Sequence, residues 1–263
     1  MHTIKSSTRK VNKRLSHGYY SQERSKLKLS HRSKKTSSYI PKYKIEHGPA
    51  FASVVMKLEP DQSIYSNDNR MSYMDPNIRV HKRSSGGIFA GIVRGLFTSE
   101  SFLQSEFVGS HDSNNELVLA NNLPGDIKDL TVLPGERFLI STHCLIAFTP
   151  NVKLNTTVKW GNILMGDAPF LTTITNNTDK PGMVWLAGYG GIKTLRLAEN
   201  EQIIIAKGLV VASELYNDFS VSMKEFTSLS MRFRGPCVIY VQGRNIHSFI
   251  DFMAQHIKEL IKR

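Results

Sequence analysis

Cysteine is almost absent from this chain: Cys144 and Cys237 are the only two in 263 residues. Two thiols are too few for a disulfide scaffold and too few for a structural zinc site. No apolar run approaches the ~20 residues that a membrane-spanning helix needs. Metal-ligand spacing is missing as well. The nine histidines (His2, His17, His31, His47, His81, His111, His143, His247 and His256) form no pair at i, i+2 or i, i+4. His-Glu-x-x-His and Cys-x-x-Cys do not occur, so a metal site has no sequence support. Glu100-Ser101 lacks a surrounding Gly-x-Ser-x-Gly elbow. Gly188-Tyr189-Gly190-Gly191 is followed by neither Lys-Ser/Thr nor a helical pattern, which excludes a phosphate loop and favours a turn between strands. His143 stands beside Cys144, but adjacent residues of a strand point to opposite faces. The expectation there is a buried thiol next to an exposed imidazole, not a nucleophilic pair. No catalytic, cofactor-binding or metal residue is therefore assigned, no cofactor is expected, and the chain reads as a non-enzyme.

Net charge is missing from most of the chain. Residues 1–44 hold 13 Lys and Arg against one acid, Glu23, and so carry the entire formal +12. Residues 45–263 hold 21 basic and 21 acidic residues. The high isoelectric point thus describes a tail, and a basic groove in the body loses its support. Ile4, Val11, Leu15, Leu27 and Leu29 are the few aliphatic residues of the segment ahead of Ile40. They bury too little to offset chain entropy, so residues 1–42 read as a disordered basic tail. No apolar h-region follows the charges, which argues against a secretory signal. Three roles stay open for this tail. A mitochondrial presequence suits the basic, Ser-rich composition and a shared helical face for Ile4, Val11 and Leu15, although Lys outnumbers Arg by nine to four. An arm contacting nucleic acid or an anionic membrane through residues 1–44 suits the charge. A solubilising tail without a partner needs nothing more. The location reads as intracellular and soluble, with cytoplasm and mitochondrion left open.

What is present is a body able to fold, with 40% hydrophobic residues overall. Short apolar runs at Phe51 to Leu58, Glu116 to Ala120, Leu130 to Leu133, Phe138 to Ile140, Val184 to Ala187, Ile203 to Ile205 and Val238 to Val241 alternate with Gly, Pro and Asn turns. That pattern predicts an all-β fold, and no ten-residue helical period interleaves it as a βαβ sheet would require. Trp160 and Trp185 are expected to fill the core or an interface. Ser84 to Glu100 differs, with Gly87, Gly91 and Gly95 spaced by four, and reads as a Gly-rich connection where backbones approach closely.

The body repeats. Val132-Leu133-Pro134-Gly135-Glu136-Arg137-Phe138 aligns without gaps on Leu197 to Ile203. Leu58-Glu59-Pro60-Asp61-Gln62-Ser63-Ile64 is an earlier copy of the same stretch, with Leu58 falling on Val132. Three β-modules are expected at about 43–115, 116–180 and 181–245, packed around a pseudo-threefold axis with each covering its neighbour's open edge. Asn245 to Arg263 then switch to helical period: Ile246, Phe249, Ile250, Met253, Ile257, Leu260 and Ile261 share one face. This amphipathic helix, 246–263, is expected to lay that face on the β-body, the alternatives being a subunit contact or a membrane surface.

One set of motifs, read in order, resembles a known family. It comprises Tyr43-Lys44-Ile45, Leu58-Glu59-Pro60, Gly86-Gly87, Arg94, Glu100-Ser101-Phe102, Phe107, Leu119-Ala120, Pro124-Gly125-Asp126-Ile127 and Leu133-Pro134-Gly135-Glu136. In these the chain resembles the altered-inheritance-of-mitochondria protein 24 family, the mitochondrial biogenesis family, over about residues 43–245. The resemblance implies a jelly-roll-like β-sandwich akin in fold to the trp RNA-binding attenuation protein, with duplicated modules, trimers and no known enzyme activity. Its yeast member is mitochondrial and linked to inner-membrane organisation. Lys207 departs from the Asp expected in the family's third module, and the basic tail lies outside the shared domain. Kinship to an RNA-binding ring is fold analogy alone, and no stripe of Lys or Arg interleaved with aromatics gives the body a specific nucleic-acid site. The function expected is a homo-oligomeric scaffold or binding protein, trimeric or otherwise. The alternatives are a small-molecule-binding or enzymatic jelly roll, and polyanion binding through the tail.

Overall fold

A computed structural model describes residues 39–83, 104–112, 114–155, 171–215 and 230–261. The basic segment before Tyr39, the Gly87-Gly91-Gly95 stretch and Trp160 lie outside the described residues. The fold is all-β and sandwich-like, in antiparallel sheets, and the described residues end in an α-helix. The strands are β1 (Lys42–Glu46), β2 (Ser53–Lys57), β3 (Ser63–Asn67), β4 (Met71–Met74), β5 (Arg79–Arg83), β6 (Gln104–Val108), β7 (Glu116–Ala120), β8 (Ile127–Val132) and β9 (Arg137–Ser141). They continue with β10 (Leu145–Phe148), β11 (Lys153–Asn155), β12 (Leu171–Thr175), β13 (Gly182–Ala187), β14 (Ile192–Leu197), β15 (Gln202–Ala206), β16 (Val210–Glu214), β17 (Ser230–Arg234) and β18 (Cys237–Gln242). The helix α1 spans Ile246–Ile261.

The element order strand, tight turn, strand, 3-10 turn, strand occurs as β2-β3-β4, β8-β9-β10 and β14-β15-β16. The tight turns show why. In each, the backbone N–H of the fourth residue donates to the carbonyl of the first: Gln62 to Glu59, Glu136 to Leu133, Glu201 to Ala198. The third residue has positive φ, 59° at Asp61, 79° at Gly135 and 68° at Asn200, as a type II turn requires, and Pro60 and Pro134 pre-set the second position. The fourth side chain then turns back to accept from the first residue's N–H: Gln62 Oε1 from Glu59 at 2.9 Å, Glu136 Oε2 from Leu133 at 2.8 Å, Glu201 Oε2 from Ala198 at 2.8 Å. The acid or amide seen in the repeat is therefore a turn lock. After each turn the strand that follows the 3-10 turn carries a bulge at the same place, between Met71 and Tyr73, Leu145 and Ala147, and Val210 and Ala212.

The strand groups are linked in series. One sheet runs β5-β6-β3-β10-β13-β8 and another β11-β12-β9-β16-β18-β14, so β10 docks on β3 and β16 on β9. Two smaller sheets, β1-β2-β7-β4 and β15-β17, complete the order. Parallel bridges join Phe51 to Gly125 and Gly125 to Gly190 where the three groups meet. Backbone crowding there is extreme: a Cβ on Gly125 would sit 1.9 Å from the Gly188 carbonyl oxygen.

Three apolar clusters form the core. The first gathers Met56, Ile64, Phe107, Leu117 and Leu119 and borrows Ile146, Ala147 and Trp185 from the next group. Trp185 is fully buried and meets the Tyr43 ring edge to face at 5.1 Å, which pins β1 to the sheet. The second cluster centres on Phe138, Ile140, Ile174 and Leu186 and borrows Val211 and Ala212. The third holds Leu197, Ile205, Val210, Met231, Phe233 and Ile239, with Leu139 from the preceding group.

The helix departs from expectation. It forms where the period predicted it, but its face does not lie on the body. Ser248 to Lys258 are all exposed, and Phe249 touches the body through the Tyr189 ring at 5.9 Å. The apolar period reports a face that wants covering and does not say by what. Among the described residues, no helix is long and apolar enough to cross a membrane.

Candidate functional site

The chemistry-bearing groups are dispersed. Among the described residues, no three His, Cys, Asp or Glu side chains gather as a metal would need. Cys144 is buried and His143 exposed, as read from the sequence, but the cause is different: both lie in the 3-10 turn Thr142–Cys144, not on a strand. Burial pushes the Cys144 thiol up to about 12, the opposite of an activated nucleophile. Cys237, half-buried at the start of β18, is also raised by burial, to about 11.

Two polar clusters stand out. Asp61, at the tip of its turn, accepts from Arg79 at 2.6 Å and pairs with His111 Nε2 at 2.7 Å. The Arg79 and His111 hydrogen bonds hold its carboxyl below the ordinary carboxylate range. The trio sits in solvent and works as a surface tie between the turn and β5. The second is Tyr43, whose hydroxyl donates to Asp129 Oδ2 at 2.9 Å and so fastens β1 to β8. Its burial, followed by the Asp129 charge, pushes the phenol well above its ordinary value.

What the molecule does present is surface that it fails to cover. On α1, Phe249 (44% exposed), Ile250 (53%), Met253 (41%) and Ile257 (48%) recur at helical spacing on one side. On the sheets, Tyr73 of β4 is 56% and Ile204 of β15 43% exposed. Among the described residues, these patches are the candidate functional surface. The helical face was legible in the periodicity. The strand edges were not, because pairing depends on which strands meet.

Known proteins agree with this architecture. No curated protein matches the chain. The crystal structure of a Streptococcus pyogenes protein superposes with a TM-score of 0.65 at 21% identity, covering 82% of this chain and 100% of that one. At that identity the likeness concerns the fold. The profile of the family described as Mitochondrial biogenesis AIM24 matches residues 43–244, from β1 to just past β18. That span holds the tight turns, the bridged glycines and the core clusters, and on it the chain belongs to the mitochondrial biogenesis AIM24 family.

Proposed function

We propose that the chain is a non-enzymatic scaffold that works by associating with copies of itself. The observation that carries this reading is the bare apolar face of α1. Ile246, Ile250, Met253, Ile257 and Leu260 follow 4-3-4-3 spacing, the seam by which like helices interlock, with Ile recurring along it. A second copy suits this face better than a membrane surface does. An interfacial helix that binds anionic lipid carries Lys and Arg along its polar side. Here the helix carries Asp251 and Glu259 against the single Lys258.

The helix does not suffice alone. A half-exposed side chain of this size leaves on the order of 80 Å² to bury, giving about 300 Å² per helix, against ~800 Å² per partner in a stable complex. The β-body supplies the remainder of the interface under this reading.

Light scattering of the full-length protein at micromolar concentration tests it. The expected result is a defined oligomer whose mass falls in an Ile250→Glu, Ile257→Glu variant while its melting curve is kept, since both residues are exposed. A strict monomer refutes the reading. Native mass spectrometry of the same preparation should give the bare polypeptide mass, and a retained small molecule would move the assignment to a ligand-binding protein.

A further inference from the structure

We propose that β4 and β15 are two halves of one junction, closed between copies: the free edge of β15 in one chain pairs antiparallel with the free edge of β4 in a second. This deepens, and rests on, the reading that the chain associates with itself.

The chain makes this junction twice internally. β10 docks on β3 with Ala147 opposite Ser66 and Phe148 opposite Tyr65. β16 docks on β9 with Ala212 opposite Ile140, Ser213 opposite Leu139 and Glu214 opposite Phe138. The repeat alignment, Leu58 on Val132 and Val132 on Leu197, converts one register into the other. Carried one step further, it places Tyr73 opposite Ile205, Met74 opposite Ile204 and Asp75 opposite Ile203.

β4 is built to the same plan as β10 and β16. It follows a 3-10 turn, carries the same bulge, and pairs with β7 as β10 pairs with β13 and β16 with β18. What differs is the other side. β10 lies between β13 and β3, and β16 between β18 and β9, whereas among the described strands β4 ends its sheet and β15 pairs with β17 alone.

Exposure shows that the gap is open within the chain. At the closed junctions Ala147 and Ala212 are 0% and Leu139 1% exposed. Their equivalents at the open one, Tyr73 and Ile204, are 56% and 43% exposed. The third apolar cluster likewise borrows nothing from β4, while the first two borrow from β10 and β16. The bridge series also stops, running from Phe51 to Gly125 to Gly190 without a described return to Phe51.

A free edge is a row of unpaired N–H and C=O groups, and proteins that must stay monomeric blunt such edges with Lys or Pro. Met71-Ser72-Tyr73-Met74 and Gln202-Ile203-Ile204-Ile205-Ala206 contain neither. Because β4 and β15 are different surfaces, the contact is head-to-tail, and each copy offers one of each.

Cysteine cross-linking of the full-length protein in a Cys237→Ser background tests the pairing. Directly opposed antiparallel residues lie about 4.5–5.5 Å apart at Cα, within disulfide reach. Met74→Cys and Ile204→Cys chains are oxidised mildly, separately and mixed, and the double variant alone. The expected result is a covalent dimer that grows severalfold in the mixture over either chain alone, and a ladder or closed ring of chains from the double variant. An intrachain disulfide in the double variant, seen as a faster monomer band, overturns the proposal, as does a mixture giving no more dimer than its parts. Light scattering on the same samples separates the two levels. An oligomer without the cross-link sinks the β4–β15 pairing and leaves self-association standing, whereas a monomer sinks both.

Discussion

Replacing Gly135 by valine should destabilise the fold for a reason wholly different from replacing Gly125 by alanine, and the two together test the backbone architecture. Gly135 has φ 79°, and a Cβ built there meets nothing within 4 Å. The penalty is conformational. A residue with a Cβ in the left-handed region loses roughly 1–2 kcal/mol, and a β-branched one falls at or above the upper end. For a body of this size each kcal/mol is worth about 2–4 °C, so Gly135→Val should lower Tm by about 4–8 °C. Gly135→Asn should be nearly silent, because Asp61 and Asn200 occupy the equivalent positions at φ 59° and 68°. At Gly125 the penalty is steric, with the new Cβ 1.9 Å from the Gly188 oxygen, so two backbone segments must part where three strand groups meet. A loss of about 3 kcal/mol or more follows, enough to lower the yield of folded protein. Thermal melts followed by circular dichroism decide both points. A Val variant that melts within about 1 °C of the parent removes the left-handed turn, given the scale above. A Gly125→Ala variant no worse than Gly135→Asn removes the close approach.

Trp185→Ala should cost about 3–5 kcal/mol, since the ring is fully buried and holds Tyr43 in place; denaturant titration measures it. The alkaline side of the stability profile should be steep. The Tyr43 phenol, ordinarily near 10, and the Cys144 thiol, ordinarily near 9 and pushed up to about 12, keep their protons longer folded than unfolded. Unfolding then releases protons, so stability falls as pH rises above about 9, and Tyr43→Phe should flatten the fall above pH 10. Native protein should also take up alkylating reagent slowly at Cys237 and not at Cys144 until denaturant is added, which mass spectrometry reads directly. Deleting residues 1–38, which hold eleven basic residues and one acid, should abolish retention on heparin or anionic vesicles and leave the melting curve unchanged. Equal retention by the shortened chain would place the polyanion-binding surface in the body.

Local sequence was enough for the class of fold, the turns and the helix at the end of the chain. Short continuous apolar runs bounded by turn residues placed β7, β13 and β18, since a strand covered on both faces needs no polar alternation, and Pro134-Gly135 named its turn because few residues tolerate positive φ. Gln62, Glu136 and Glu201 recur in the repeat as an acid or amide, but their role comes from the fold, in which each side chain reaches back three residues to a backbone N–H. β3 was harder to read, since Ser66 and Asn67 look like loop. Its polar character is explained by the Ser66 hydroxyl donating to the Ile146 carbonyl at 2.7 Å across a buried junction. Which edges meet was a matter for long-range packing. The same repeat pattern is compatible with a closed ring of three or an open series, because local spacing specifies each strand but not its neighbour in the next module. Likewise the period of α1 specified an apolar face, while its exposure depended on where β18 delivers the chain relative to the sheets. Those two outcomes, an uncovered helix and two edges left without a partner among the described strands, carry the functional reading, and both arise from contacts between distant modules that no window of sequence contains.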